Sequence, residues 1–143
     1  MGRRVNAAVR GTVLHAGTAS GPALVLREPL SLWGGLDPES GALIDAHHPQ
    51  RGAQLSGRVV LMPGGRGSSS SASVLAEALR AGTAPAALLL GEPDLILAIG
   101  AEVADALYGT RLPVVVVDAE WTATVRDGQP ISVDEDGTVV ATP

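Results

Sequence analysis

The sequence of 143 residues contains no cysteine and no phenylalanine. Without cysteine, the chain can form no disulfide and can supply no thiolate to a zinc site or an iron–sulfur cluster. Aromatic residues make up only 2% of the chain. The core must therefore be built from Val, Leu, Ile and Ala, which suits buried parallel strands. The thiolate ligands of any metal or cluster must therefore lie outside these 143 residues.

Long apolar runs and an excess of basic charge are also missing. No apolar run reaches the roughly 18 residues that a membrane span requires, and the first residues lack the apolar core of a signal peptide. We therefore expect a cytoplasmic protein without membrane contact. The 10 basic and 15 acidic residues give a net charge of −5, which argues against non-specific binding of nucleic acid. Hydrophobic residues make up 45% of the chain, enough for one domain, predicted to span residues 1–143.

A loop rich in glycine and serine, here called the serine loop (residues 63–73), lies between a predicted strand and a predicted helix. The apolar run Val59–Met62 predicts a buried strand before it, and residues 74–79 predict a helix after it. The loop contains three glycines, one arginine and five serines. Glycines let the backbone approach a ligand closely, and the N–H groups and dipole at a helix start favour an anion.

The serine loop does not fit a nucleotide-binding P-loop. That motif requires a lysine and then Ser or Thr after its last glycine, whereas Gly67 is followed by Ser68 and the loop has no lysine. Two interpretations remain. The loop is either an anion site in which one serine takes part in chemistry, or a flexible polar turn that caps the following helix.

The rest of the pattern indicates strands first, then alternating strands and helices, then a hairpin. Strands are predicted at residues 5–16, 23–26, 85–90, 113–117, 131–133 and 138–140, with a turn at residues 17–22. Helices are predicted at Ser71–Ala81 and residues 101–108, each ended by a glycine, while residues 94–99 fit either a helical turn or a strand. This order predicts an α/β domain with parallel central strands and a barrel-like antiparallel part. The serine loop then lies at the carboxyl end of a strand, where α/β sheets place ligand sites.

A long irregular segment, residues 28–57, precedes the strand that leads into the serine loop. Irregular stretches of this length are uncommon in compact domains and are usually functional or packed against a partner. Trp33 in this segment either fills the core or lies at an interface or in the wall of a site. Residues 43–45 fit one short strand. The adjacent His47 and His48 point in different directions on extended backbone. Loop packing is therefore favoured over metal ligation, and we predict no metal site.

Two parts of the chain together resemble a known family. They are residues 29–41, PLSLWGGLDPESG, and residues 65–71, GRGSSSS. Both resemble the small subunit, or swivelling domain, of the aconitase X family. Shared features also include Asp45, His48 with Pro49, Gly52, the Ala-Pro-Ala at residues 84–86, and Gly100 with Ala101. The resemblance extends over roughly residues 11–117, and its Ser-Leu-Trp-Gly-Gly motif is more specific than the serine run.

The resemblance implies a β/β/α swivelling domain that belongs to a two-part dehydratase. In such an enzyme a large subunit carries the iron–sulfur cluster, and the swivelling domain brings a serine to the shared cleft as proton acceptor. The family includes archaeal phosphomevalonate dehydratases and bacterial cis-3-hydroxyproline dehydratases. The implied activity is that of a hydro-lyase, active only with its large subunit, on 5-phosphomevalonate or a hydroxyproline-type hydroxy acid. No cofactor is expected in this chain itself.

The resemblance also implies roles for individual loop residues. In the wider superfamily the base is a serine directly after a glycine of this loop, which by that match is Ser68 after Gly67. Aconitases proper follow their serines with an arginine that binds substrate carboxylate, and this chain has none there. The contact to that group is then either absent or made by Arg66 or by the partner. Ser69 and Ser70 are expected to bind substrate, together with Gly67, or to cap the helix.

Two other functional classes remain open at this point. One is a phosphohistidine-type swivelling domain, suggested by the glycine- and proline-containing residues 17–23. It requires a histidine on a glycine- and threonine-rich loop, a setting that His15 and His48 lack. The other is a non-catalytic binding module in which the serines only bind an anion.

Overall fold

The computed structural model describes residues 8–143. Part of the first predicted strand, residues 5–7, lies outside the described residues. The elements are β1 Val9–Arg10, β2 Thr12–His15, β3 Ala19–Val25, β4 Val59–Met62, α1 Ser71–Ala81, β5 Ala87–Leu90, α2 Leu95–Tyr108, β6 Val114–Val116, α3 Ala119–Thr122, β7 Pro130–Val133 and β8 Thr138–Ala141. None of the helices in this part of the chain has the length and hydropathy needed to cross a bilayer.

All the strands named above join in one sheet, in the order β1-β8-β7-β3-β4-β5-β6-β2. Strands β3 to β6 are parallel to their neighbours in the centre, and the other pairs are antiparallel. Because β1 and β2 follow each other in the chain but lie at opposite ends of the sheet, the sheet curls into a nearly closed barrel. The N–H of Gly11, between these two strands, donates to the Gly137 carbonyl over 2.9 Å. The predicted parallel centre with a barrel-like antiparallel part is confirmed.

Strand β3 joins the antiparallel and parallel parts of the sheet. Its first half pairs with β7 from Ala19 to Pro22, and its second half pairs with β4 from Ala23 to Val25. The predicted turn at residues 17–22 is therefore wrong from Ala19 onward. The antiparallel pairing ends where Pro22 faces Pro130, so two residues without an N–H donor are placed where the ladder stops.

The apolar residues of the central strands alternate between two cores. Val60 and Met62 of β4 point into the core beneath α1, α2 and the irregular segment. Val59 and Leu61 point to the other side, into the barrel interior. The predicted core of Val, Leu, Ile and Ala is confirmed with two exceptions, Met62 under the helices and Trp121 of the unpredicted helix α3 on the barrel side.

The helices follow their expected ends. Helix α1 begins at Ser71 and ends before Gly82, whose φ of 80° suits glycine. The ambiguous residues 94–99 start a helix that is continuous with the predicted helix at residues 101–108. Asp94 sets this start, because its side chain accepts from the Leu97 N–H over 3.0 Å.

The irregular segment, residues 28–57, has no helix and no strand but is well packed. Its buried leucines complete the core under the helices: Leu30, Leu32, Leu36, Leu43 and Leu55. Residues 43–45 form only an isolated bridge, between Leu43 and Leu36, and not a strand. His48 is buried, with Nε2 3.2 Å from the Glu28 carbonyl and Nδ1 3.0 Å from the Gln50 N–H. These contacts give His48 the loop-packing role that the sequence favoured.

Candidate active site

The serine loop leaves the sheet at the carboxyl end of β4, as predicted. Residues 63–70 connect β4 to α1, and the last residues of the loop form the first turn of that helix. On one side, Gly65 forms a bridge with Leu30 of the irregular segment, and the Arg66 N–H donates to the Leu30 carbonyl over 3.4 Å. On the other side lies Asp94 at the start of α2. The loop is therefore held between the irregular segment and α2.

Gly65 allows the loop to approach α2 closely. A Cβ at this position would collide with Oδ2 of Asp94, the side chain whose other oxygen caps α2. Any larger residue at position 65 would push the loop away from the helix start or break the cap. Glycine is therefore required at position 65 for a steric reason, because the backbone of the loop lies against the Asp94 carboxylate there.

Ser68 lies at the N-terminal end of α1 and is half-buried. Its Oγ accepts from the Ser70 N–H over 3.3 Å, and its carbonyl accepts from the Ser71 N–H over 3.0 Å. Ser70 occupies the cap position, but its side chain makes no capping hydrogen bond. Ser68, and not Ser70, therefore provides the hydroxyl that contacts the backbone at the helix start.

The backbone around Ser68 offers unpaired donors. Among residues 8–143, the N–H groups of Gly67, Ser68 and Ser69 have no hydrogen-bond acceptor. The first turn of α1 holds no acidic residue, so no side chain of that turn offsets the positive end of the helix dipole. The space where a Gly67 side chain would lie is open. This arrangement can bind an anion or stabilise negative charge on a serine oxygen.

Arg66 extends from the loop into solvent. One of its terminal nitrogens lies 4.0 Å from Oε1 of Glu28, and the two side chains are 61% and 52% exposed. A pair this long and this exposed contributes little to stability. Arg66 can therefore leave Glu28 and turn to an anionic ligand at small free-energy cost. The structure thus places all the expected loop residues, from Arg66 to Ser70, on one accessible surface.

Ser71 is a site residue that the sequence reasoning did not single out. It is only 3% exposed; its Oγ accepts from the Trp33 N–H over 3.2 Å and lies 3.4 Å from Oγ of Ser31. This contact joins the Ser-Leu-Trp-Gly-Gly motif to the serine loop. The two motifs were visible in the sequence, but nothing in the sequence shows which serine of the run connects them.

Trp33 lies beside the serine loop with its side chain in solvent. The residue is 61% exposed, so the interpretation of Trp33 as a core residue is wrong. Its neighbour Gly34 has a φ of 76°, a left-handed conformation that turns the chain sharply after the tryptophan. The tryptophan that packs in the core is instead Trp121, which is 8% exposed.

The two buried histidines are engaged in structural contacts. Nδ1 of His15 lies 2.9 Å from the Leu112 carbonyl, and Nε2 lies 3.3 Å from a carboxylate oxygen of Glu102. His48 is held by two backbone groups, as described above. Neither ring presents a free nitrogen to solvent, which argues against a phosphohistidine role for either residue.

The described residues do not fit a metal or a cluster. They contain no group of three or more His, Cys, Asp or Glu side chains placed to hold a metal ion, and the sequence has no cysteine. The chemistry that the site itself offers is therefore that of a serine hydroxyl, backbone N–H donors and one guanidinium.

Comparison with known proteins identifies relatives of two kinds. Cis-3-hydroxy-L-proline dehydratase of Pseudomonas aeruginosa is 54% identical over 101 residues, which is 71% of this chain but 17% of that protein. The phosphomevalonate dehydratase small subunit of Methanothrix thermoacetophila is 38% identical over 130 residues, which is 91% of this chain and 90% of that protein. The chain thus spans about a sixth of the first relative and nearly all of the second.

Solved structures and family models agree with these relatives. The crystal structure of Thermococcus kodakaraensis aconitase X in its holo-form superimposes with a TM-score of 0.85 at 32% identity, covering 96% of this chain and 99% of that one. The family model described as the aconitase X swivel domain matches residues 8–142, a range that includes the serine loop and the irregular segment. The chain therefore belongs to the aconitase X swivel-domain family.

Proposed function

We propose that this chain is the small subunit of a two-part dehydratase and supplies Ser68 as the proton acceptor of an active site shared with a large subunit. One observation carries the proposal. Ser68 lies at the N-terminus of α1, next to N–H groups that have no acceptor among residues 8–143. The dehydratase names of relatives from Pseudomonas aeruginosa and Methanothrix thermoacetophila support the reaction class.

The chemistry explains why a serine needs this setting. Dehydration of a hydroxy acid removes a proton from a carbon next to a carboxylate, forms a double bond with the electrons of the C–H bond, and expels the hydroxyl group. A neutral serine hydroxyl is a poor base, so Ser68 must act as an alkoxide. Oriented N–H donors that stabilise this oxygen are the usual solution, and the N–H groups at positions 67–69 with the α1 dipole supply them here.

The remaining loop residues bind the substrate in this proposal. Arg66 binds the substrate's anionic group, because its guanidinium is only weakly paired with Glu28 and adjoins the serines. Gly67, Ser69 and Ser70 contact the substrate through backbone N–H and hydroxyl groups. The substrate is a hydroxy acid, either a hydroxyproline-type acid or 5-phosphomevalonate.

The group that takes the leaving hydroxyl belongs to the large subunit. The described residues offer no set of metal ligands, and an iron–sulfur cluster in the large subunit would act there as a Lewis acid. What this chain contributes is the base, the donors that stabilise it and the arginine. The isolated chain should therefore fold and be inactive.

The test is turnover by the chain reconstituted with a large aconitase X subunit, assayed on both substrates. Ser68→Ala should lower turnover by roughly 100-fold or more, the usual scale for a positioned general base. It should cost only about 1 kcal/mol of stability, since one accessible hydroxyl is lost. Ser69→Ala is the matched control and should mainly raise KM.

Three results would contradict the proposal. Turnover by the purified, metal-stripped chain alone would remove the need for a partner. Near-normal turnover of Ser68→Ala, with loss in Ser69→Ala or Ser70→Ala, would move the base further along the loop. Normal turnover in all three variants would mean that the serines bind an anion and take no part in catalysis.

A further inference from the structure

Helix α2 exposes a continuous apolar stripe, here called the α2 stripe and made of Leu95, Ile99, Val103 and Leu107. Their exposed fractions are 69%, 56%, 40% and 67%, respectively. The spacing of four residues places all of them on one side of the helix, opposite the buried Leu97, Ala101 and Ala104. A solvated helix normally carries polar residues on this side, and contiguous apolar surface on a folded protein marks a binding site.

The α2 stripe begins at the serine loop. Leu95 follows Asp94, whose carboxylate contacts Gly65 of the loop. From Leu95 to Leu107 the stripe runs about 18 Å along the helix, at 1.5 Å per residue. A protein that covers the serine loop from the side of α2 would therefore also cover the stripe.

A groove widens this surface toward α1. It has a volume of about 270 Å³ and is lined by Ala72, Ser73, Ala76, Glu77, Val103 and Tyr108. The two helices approach closely at its floor, because a Cβ on Gly100 would lie 2.9 Å from the Ala72 carbonyl oxygen. Ala72 and Ser73 belong to the serine loop, so the groove and the stripe both extend from the candidate active site.

We infer that the α2 stripe is the surface on which the large subunit of the dehydratase docks, an inference that rests on the proposed function. The stripe is continuous with the serine loop, because Leu95 directly follows Asp94, which lies against Gly65. A partner that completes the active site at this loop would therefore meet the start of the stripe. The region matched by this chain makes up only 17% and 19% of the cis-3-hydroxy-L-proline dehydratases. In those relatives a much longer stretch of sequence therefore accompanies the matched region, as a large subunit would here.

Charge argues against a second copy of this chain as the occupant. Helix α2 carries two acidic residues and no basic one. Asp105 is paired with Arg111 over 3.6 Å, whereas the Glu102 side chain is 72% exposed at the edge of the stripe. A symmetric dimer through this helix would bring acidic edges together in a chain of net charge −5, and like charges facing each other oppose association. The fitting partner has an apolar surface with basic residues at its rim.

The experiment measures the Kd of this chain for a large aconitase X subunit, by titration of the two purified subunits. The variant is Ile99→Gln with Leu107→Gln, because glutamine keeps high helix propensity while removing apolar surface. The matched control is Val140→Gln on β8, another exposed apolar residue, at 37% exposure. We expect the double variant to raise Kd at least about tenfold with an unchanged melting temperature, and the control to leave Kd within twofold of the wild type.

A second measurement uses only the wild-type chain. Hydroxyl-radical labelling of Leu95 and Leu107 should fall at least about threefold when the large subunit is added, because the interface excludes solvent. Unchanged labelling, a Kd of the double variant within twofold of the wild type, or a wild-type homodimer that the double variant abolishes would each overturn the inference. If the wild-type subunits do not associate at all, the proposed function itself is wrong, because it requires an active site shared with the large subunit. If they associate and turn over while the stripe variants behave as wild type, only the docking surface is wrong.

Discussion

The backbone N–H of Trp33 donates to the hydroxyl oxygen of Ser71 over 3.2 Å, across 38 residues of sequence. Ser71 is the first residue of α1, so this hydrogen bond connects the backbone at Trp33 to the start of that helix. It explains how an exposed indole is held beside the serine loop. The orientation of the loop and the position of Trp33 are therefore coupled.

Removing that acceptor should destabilise the chain. Ser71→Ala removes the acceptor of this part-buried hydrogen bond, and losing one such bond costs about 1 kcal/mol. Ser73→Ala is the control, since Ser73 is exposed on the same helix. The unfolding midpoints of both variants are measured in urea on the isolated chains. Equal midpoints would mean that the contact between Ser71 and Trp33 does not contribute to stability.

Arg66 should affect substrate binding more than stability. Arg66→Gln removes the guanidinium that we assign to the substrate anion, and KM of the reconstituted enzyme should rise about tenfold or more, given that charged hydrogen bonds contribute roughly 1.5–3 kcal/mol. Glu28→Gln removes the other member of the 4.0 Å pair and should leave KM the same or lower. Equal KM increases in both variants would show that the pair acts as a unit and that Arg66 does not bind the substrate alone.

Substitutions of the two tryptophans should affect different properties. Trp33→Ala should weaken binding of the large subunit, and Trp121→Ala should lower the stability of the fold. Trp33→Ala should leave the unfolding midpoint of the isolated chain nearly unchanged, because the side chain is mostly in solvent, yet weaken binding of the large subunit by about 2 kcal/mol if it anchors the interface. Trp121→Ala removes a side chain that packs in the barrel core and should cost about 3–5 kcal/mol of stability. Titration with the large subunit and urea unfolding distinguish the two. Normal association of Trp33→Ala would remove Trp33 from the interface.

Asp37 should make a pH-dependent contribution to stability. The pKa of Asp37 is lowered from its ordinary value of 3.8, chiefly by the Glu39 N–H and then by the Ser40 hydroxyl, which donate over 3.0 Å and 2.8 Å. A carboxyl whose pKa is lower in the folded state stabilises that state above its unfolded pKa, and the effect fades as the pH falls through the lower, folded pKa.

The measurement for Asp37 is the unfolding midpoint of the wild type and Asp37→Ala at several pH values. The difference should be full at pH 6 and should shrink as the pH falls below about 3.8. Glu39→Gln is the control, because it keeps the backbone N–H that donates to Asp37. A difference between wild type and Asp37→Ala that stays constant from pH 6 to pH 2.5 would show that the two hydrogen bonds do not depend on the charge.

The sequence predicts a strand or helix correctly where that element carries its own local pattern. Strand β4 is a continuous apolar run buried on both faces, and α1 ends at a glycine in the left-handed region. The serine loop between them was placed correctly because a strand and a helix bound it on either side. Its position at the carboxyl edge of the sheet then follows from the parallel arrangement alone.

The elements that sequence reasoning missed depend on distant contacts. Residues 19–22 contain turn-type residues, yet they form a strand because β7, more than 100 residues later, pairs with them. Helix α3 has only four residues, too few for a helical period to be recognised. Leu95 and Ile99 left residues 94–99 ambiguous because the apolar side of α2 that they form faces solvent and not the core. The role of Ser71 is likewise set by a residue 38 positions away.

The pairing of β1 with β8 has a consequence for how the chain folds during synthesis. Val9 lies opposite Val139, so β1 leaves the ribosome long before its partner strand exists. Closing a contact between residues so far apart is slow compared with forming local helices and hairpins. The parallel core and its two long helices can assemble first. During that time β1 has no partner strand, and its unpaired edge is open to other chains. We therefore expect the nascent chain to be most prone to aggregation in the interval before residues 138–141 emerge.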